Sequence, residues 1–176
     1  MIQATAENTR LTLGSLVRDY AIYNLWANRT LVDYLKSKPA ELMDAEVASS
    51  FPSLKETLIH IWDTQRFWLA VLQEVAPPPS FRMEGFHGSL EEVFDGIVDQ
   101  SLEFAIYLET LSDAALLEEV EFDTPWVSGR QPRFEFTHHC LNHSTYHRGQ
   151  LITIGRNLGF TDAPMTDYNF YLLRVR

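Results

Sequence analysis

Cysteine is almost missing from this chain of 176 residues: Cys140 stands alone. A single thiol can close no internal disulfide and build no Cys-rich zinc module, and it suits a reducing compartment. Positive charge is scarce too, with 14 Lys and Arg against 24 Asp and Glu, a formal charge of −10. A surface that tracks phosphates needs the opposite sign, so nucleic-acid binding is not expected. Long apolar runs are also lacking. The longest, FWLAVL at residues 67–72, falls far short of the ~20 residues of a membrane span. The opening MIQATAENTRL has neither the basic start nor the apolar stretch of a signal peptide, so a cytoplasmic protein is expected, with no membrane partner. There is no repeat and no low-complexity segment, and the length suits one domain, residues 1–176, with a core of its own.

What is present is periodicity. Hydrophobic residues make up 45% and charged ones 22%, ordinary usage for a folded globular chain. Leu13, Leu16, Val17, Tyr20, Asn24, Ala27, Leu31 and Leu35 recur at helical steps, predicting a helix over 12–37 that ends at Lys38-Pro39. Ser53 with Glu56, then Ser89 with Glu92, read as capping boxes opening two more helices. The first carries the stripe Leu54, Leu58, Ile61, Trp68, Leu72 and stops before Pro77-Pro78-Pro79. The second carries Val93, Ile97, Leu102 and Ile106 to about residue 111. Between 116 and 136, β-formers flank Asp123, Pro125, Gly129 and Pro132, predicting a hairpin or extended crossover. A fourth helix follows over about 136–157, closing at Leu158-Gly159, and the tail suggests one short helical turn around Tyr168, Phe170 and Leu172. The expected fold is all-α, a four-helix bundle with one longer connection.

Histidine is concentrated in that fourth helix. Residues four apart lie within about 40° of each other on a helix. Phe136, His139, Cys140, His143, His147, Gln150 and Ile154 therefore share one face, and His138 points away. An i, i+4 histidine pair can hold one metal ion, but many helices carry such a pair by chance. A third ligand from another element strengthens the case. His60 in the second helix, at the edge of its stripe, is the candidate, whereas His87 sits in the loop GFHGS and is expected in solvent. The plain alternative is a set of hydrogen-bonded core histidines. Burying several imidazoles without partners is costly, and one divalent ion satisfies three at once, so the constellation favours the metal.

The phrase HCLNHSTYHRGQ, residues 139–150, resembles the HxxxHRGQ signature of the DinB-like (YfiT-like) family of metal-dependent proteins. YNLWANRTLVDYL near the start, SFPSLKETLIHIWDTQRFWL around His60 and the closing MTDYNFYL resemble it as well. The resemblance implies a bundle of up-down-down-up connectivity, often dimeric, in which three histidines hold a divalent ion. Matched residue by residue, those ligands are His60, His143 and His147. Relatives include bacillithiol and mycothiol S-transferases and a mycothiol-dependent isomerase. The family name records induction by DNA damage, not DNA binding, in keeping with the acidic charge here.

The neighbouring residues have plainer and sharper readings. His139 is expected to line the pocket or support a ligand, and Cys140 to fill the core rather than form a Cys-His redox pair. Arg148 calls for an acidic partner and otherwise makes a weak surface ion pair. Gly149 is expected to permit close helix packing. Gln150 is placed to orient a water or substrate, or to be a buried amide. Asn24 is placed to bond a ligand histidine or to cap a buried network. Trp26, Trp62, Trp68 and Trp126 are read as packing residues.

Three histidines with open positions describe a catalytic zinc-type site, because structural sites close with a fourth protein ligand. The leading expectation is a metal-dependent thiol S-transferase or hydrolase acting on a small molecule, with a low-molecular-weight thiol as one candidate. Zinc or nickel is the expected ion, and imidazole also suits iron and copper. The competing expectation is a non-catalytic, dimeric metal- or ligand-binding stress protein, whose ion His139 or Cys140 would close off. A metal-free helical scaffold is the third. A homodimer is expected in the leading reading as well.

Overall fold

A computed structural model gives the fold and describes residues 11–124 and 128–176. Pro125 and Trp126 of the expected hairpin lie outside those residues. Helix α1 spans Leu13–Lys36, α2 Leu54–Leu72, α4 Leu90–Glu109 and α6 Arg133–Asn157. The short helices α3 (Phe81–Glu84), α5 (Asp113–Leu117) and α7 (Tyr168–Arg174) pack around them. The first two of these short helices, and a 3-10 turn at Ala40–Leu42, were not foreseen. All three are too short to show a periodicity. No helix among the described residues is long and apolar enough to cross a membrane.

Local chemistry sets the helix ends. Thr12 opens α1 through a capping box completed by Ser15, a pairing that the usual Glu or Gln signature does not flag. Ser89 and Glu92 form the expected box on α4. On α2 only half of the expected box exists: Ser53 accepts from the Glu56 amide, and the return bond from the Glu56 side chain is not made. Gly159, at φ +89, closes α6. The Phe160 amide bonds Gly155 O (2.8 Å) and the Gly159 amide bonds Arg156 O (3.0 Å), which satisfies the last carbonyls of α6.

Side-chain pairings fix the helix directions. Lys36 meets Glu91 and Asp95, and the Gly14 amide meets Asp113, so α1 runs antiparallel to α4. Gln65 pairs with Ser101 and the Leu72 carbonyl with Tyr107, so α2 and α4 are parallel. His60 lies by His143 and Trp68 by Phe136, so α2 and α6 are antiparallel. The path is up-down-down-up, with α1 packed on α4 and α6, and α2 packed on the same two.

Two large apolar clusters fill the bundle, apart from a small third one of Tyr23, Ala27 and Tyr171. One holds Leu31, Leu35, Leu54, Leu58, Ile61 and Ile97. The other holds Leu69, Leu72, Phe104, Leu108, Phe136 and Leu141. Each fully buried side chain of this kind stabilises by about 1.5–3 kcal/mol. The chain numbering shows what divides them: Asn24, Asn28, Gln65, Ser101 and Arg148, all buried, form a polar layer between the two halves.

Strands β1 (Glu119–Asp123) and β2 (Ser128–Pro132) pair antiparallel, the hairpin alternative of the sequence reading. Opposite Phe122 stands Gly129, where a Cβ would come within 2.9 Å of the phenyl ring, and Phe122 is thereby free to pack on Trp68 and Phe136. Helix α6 starts three residues earlier than the pattern suggested because Arg133 anchors it. Its guanidinium bonds Leu72 O (2.9 Å), Ala115 O (3.0 Å), Glu118 (2.8 Å) and Glu74 (2.5 Å).

Trp62 lies across Gly96 of α4, with Phe81 and Phe86 on its other sides; a Cβ at Gly96 would sit 2.4 Å from the indole. Gly96→Val should therefore cost about 1–3 kcal/mol by overpacking, read as a shifted urea midpoint. A Gly96→Ala protein as stable as the wild type would contradict this account of the contact.

Candidate metal centre

Helix α2 presents His60 and α6 presents His143 and His147 at the level of the polar layer. The His60 and His143 Nε2 atoms are 3.4 Å apart, and those of His143 and His147 are 3.1 Å apart. One nitrogen from each of the three rings falls within 4.8 Å of the others, an arrangement that could hold a metal ion. Two nitrogens each about 2.0–2.1 Å from a shared ion are about 2.9–3.4 Å apart for angles between octahedral and tetrahedral. The spacing fits.

The electrostatics agree with the spacing. Burial, and then the nearby His147 and His143 rings, push the His60 pKa down to about 3. Burial, followed by His147 and His139, pushes His143 down to about 4. His147 is also lowered by burial, with its Gln150 contact opposing. Neutral imidazoles keep lone pairs free for a cation. Gln150 settles the tautomer of His147. Its Nε2 donates to Ser50 Oγ at 3.1 Å, which turns its Oε1 toward His147 Nδ1 at 2.7 Å. The Nδ1 then carries the hydrogen, and Nε2 faces the cluster bare. His143 lacks such support: its Nδ1 is buried with no hydrogen-bond partner.

Aromatic rings wall the cluster. Phe51 stacks on His60 at 4.1 Å and meets the edge of His147 at 5.5 Å; Tyr146 meets His147 at 5.0 Å. His139 leans on Trp68 at 5.0 Å and lies 5.8 Å from His143. It is exposed and outside the three-histidine group, so it lines the approach.

The remaining expectations divide. Cys140 fills the core, completely buried, and burial raises its pKa so that it stays a thiol. Gln150 bonds the His147 ring through its Oε1. Asn24 caps a buried network and bonds no histidine. His138 and His87 are exposed, as expected.

Two readings need correction. Arg148 makes no surface ion pair: it is 3% exposed and bonds Asn24 Oδ1 (2.5 Å), Asn28 Oδ1 (3.0 Å) and Thr145 Oγ1 (2.7 Å), with no carboxylate among these partners. Burial lowers its pKa, with Tyr23 and Tyr20 opposing, but an arginine stays charged. Gly149 permits no close packing, since among the described residues nothing lies within 4 Å of where its Cβ would be. Ser50, Phe51, Asn28, Gln65 and Thr145 were missed. Asn28 and Gln65 announced themselves faintly, as polar residues inside apolar helices; Ser50 and Phe51 open the family-like stretch around His60, but no local pattern pointed to their contacts.

An up-down-down-up bundle with three imidazoles gathered between two of its helices defines a class of histidine-bearing helical proteins. The sequence model described as the DinB family matches residues 8–173, and the chain belongs to that family. It is 28% identical over 162 residues to Protein DinB of Bacillus subtilis (strain 168), covering 88% of this chain and 92% of that protein. The crystal structure of a DinB-like protein, YjoA of Bacillus subtilis, has a similar fold. Its TM-score is 0.62 at 15% identity, covering 86% of this chain and 97% of that one.

The lowered histidine pKa values carry a stability signature in metal-free protein. His60 and His143 titrate near 6.5 when unfolded and near 3 and 4 when folded. The unfolded state takes up their protons first, so stability is full above about pH 6.5 and falls as the pH drops toward 4. Urea midpoints of chelator-treated protein should decline across that window. The decline should be shallower in His60→Asn. Equal slopes in variant and wild type would contradict it.

Proposed function

We propose that the protein is a metal-dependent enzyme, of the thiol S-transferase or hydrolase class, whose ion is held by His60, His143 and His147. One observation carries the reading. Three neutral imidazole nitrogens meet, and among the described residues no fourth His, Cys, Asp or Glu joins the group. A site that stops at three protein ligands leaves a position for chemistry, whereas a structural site closes. This favours an enzyme over a binding protein with a sealed ion. Zinc or nickel is the proposed ion, with iron or copper also compatible with imidazole.

When bound, such an ion supplies Lewis acidity and lowers the pKa of a water or thiol at its open position. The chain supplies the rest. Uncharged ligands leave the full cationic charge available. Gln150 holds His147 in the ligating tautomer. Phe51 and Tyr146 offer apolar walls that limit water and fit the carbon skeleton of a small substrate. The low-molecular-weight thiol remains the favoured substrate class, and the net charge of −10 speaks against nucleic acid.

Self-association as a homodimer completes the proposal. A groove between α1 and α6, lined by Leu13, Leu16, Val17, Tyr20, Phe134 and Leu141, carries no Asp, Glu, Lys or Arg. In so acidic a chain, this is the face on which two copies can meet without like-charge repulsion. Sedimentation at micromolar concentration should show a dimer that Leu16→Glu weakens; a wild type that stays monomeric removes this part.

Elemental analysis of protein purified without an affinity tag should find close to one divalent ion per chain. His143→Ala with His147→Ala should abolish it and leave helical circular dichroism intact, since the apolar clusters lie elsewhere. His138→Ala should leave occupancy unchanged. Metal that survives loss of both histidines would end the enzymatic reading.

A further inference from the structure

The ligands come from two helices, and apolar packing between helices does not by itself fix their sliding register, because burial is non-directional. A directional link does exist, and it runs through a third helix. Asn24 of α1 donates its amide to Gln65 Oε1 of α2 at 2.9 Å and accepts from Arg148 of α6 at 2.5 Å. Gln65 stands five residues after His60, and Arg148 directly follows His147. All three link residues are nearly excluded from solvent, Asn24 and Gln65 at 1% and 0% exposure. Ser101 of α4 joins by donating to the same Gln65 oxygen at 3.1 Å, and Asn28 by donating to Ser101 at 2.9 Å.

We infer that Asn24 is a positioning residue. The chain Gln65–Asn24–Arg148 is a strut that holds His60 in register with His143 and His147, and so sets the affinity of the site for its ion. The inference rests on the metal-site reading above. Burying a guanidinium against neutral amides is an expensive way merely to stabilise a fold, since apolar replacement of buried polar groups is often neutral or stabilising. The strut's specific contribution is direction: each amide bond defines a distance between two helices, and a slip of one residue along either breaks it.

Asn24→Leu, of similar size, removes both bonds and suits the apolar surroundings. The test is zinc affinity, measured by competition with a chromophoric chelator, beside urea stability of the metal-free protein and the cobalt(II) absorption spectrum. The expected result is a protein that folds, with affinity lower by about tenfold or more, the loss typical of outer supports of metal ligands, and an altered cobalt spectrum. Asn24→Asp should retain wild-type affinity, because Asp still accepts from Arg148 and the Gln65 amide can turn to donate to it. Gln65 has a donor free for that role: its Nε2 is buried without a partner.

A folded Asn24→Leu that binds zinc as the wild type does overturns the strut. So does an Asn24→Asp protein that loses as much affinity as Asn24→Leu. Should Asn24→Leu not fold, Gln65→Met severs only the α2 end and is judged by the same titration; failure of both to fold overturns the inference in favour of a purely structural role. A wild type that binds no zinc and no cobalt overturns the metal reading and the inference together, which separates that failure from the others.

Discussion

Among the described residues, the guanidinium of Arg148 is buried without an acid to neutralise it, and much of the bundle is arranged around that fact. Removing such a charge from water costs several kcal/mol even after relaxation. Hydrogen bonds to a charged group return about 1.5–3 kcal/mol each, so leaving one unmade is a severe loss. Three side-chain oxygens therefore have to converge on it, from Asn24 and Asn28 one turn apart on α1 and from Thr145 one turn back on α6. The face of Tyr23 adds a cation–π contact at 5.4 Å. Once the two asparagine oxygens are committed, their amides need acceptors, which Gln65 and Ser101 provide from the remaining two helices. A single charge thus determines one residue type on each of four helices.

The polar layer divides the apolar interior into two halves, and the three histidines lie at its level. A continuous core would have packed more simply. What the layer provides is a polar level at which His60 and His143 sit half-buried and His147 buried, dry enough to stay neutral. Desolvation is the first cause of the lowered pKa at His60, His143 and His147 alike. Neutrality at physiological pH is what a cation site requires of its ligands.

Above and below that level, aromatic packing sets the approach. Phe51 lies against His60 from the loop before α2, and Trp68 carries His139 on one side while joining Phe122 and Phe136 on the other. The hairpin is thereby tied to the wall of the histidine cluster. Arg133 secures the base of that hairpin to the end of α2 and to α5, so α6 enters the bundle at a fixed height. Backbone constraints at one end of α6 and the polar layer at its middle act on the same helix, the one that carries two of the three histidines.

The sequence by itself determined the four main helices: three have an apolar stripe of period 3.6 with an end marked by capping chemistry or proline, and the fourth is marked by its histidine face and the glycine that closes it. It also determined the histidine ladder, because i, i+4 spacing places two imidazoles on one face of any helix that forms. The place of His60 at the edge of the second helix's stripe made it the candidate third member, the family resemblance matched it to a ligand, and the structure brings it to the other two. Only the tertiary structure decided the environment of Arg148, the emptiness around Gly149, and the tasks of Asn24 and Gln150. Those depend on partners 41 to 124 residues away in the chain for Asn24, and on a loop serine 100 residues away for Gln150. Periodicity records which face of a helix is buried. It does not record what a polar side chain meets on that face, because hydrogen bonds are satisfied between helices whose relative height no local pattern encodes.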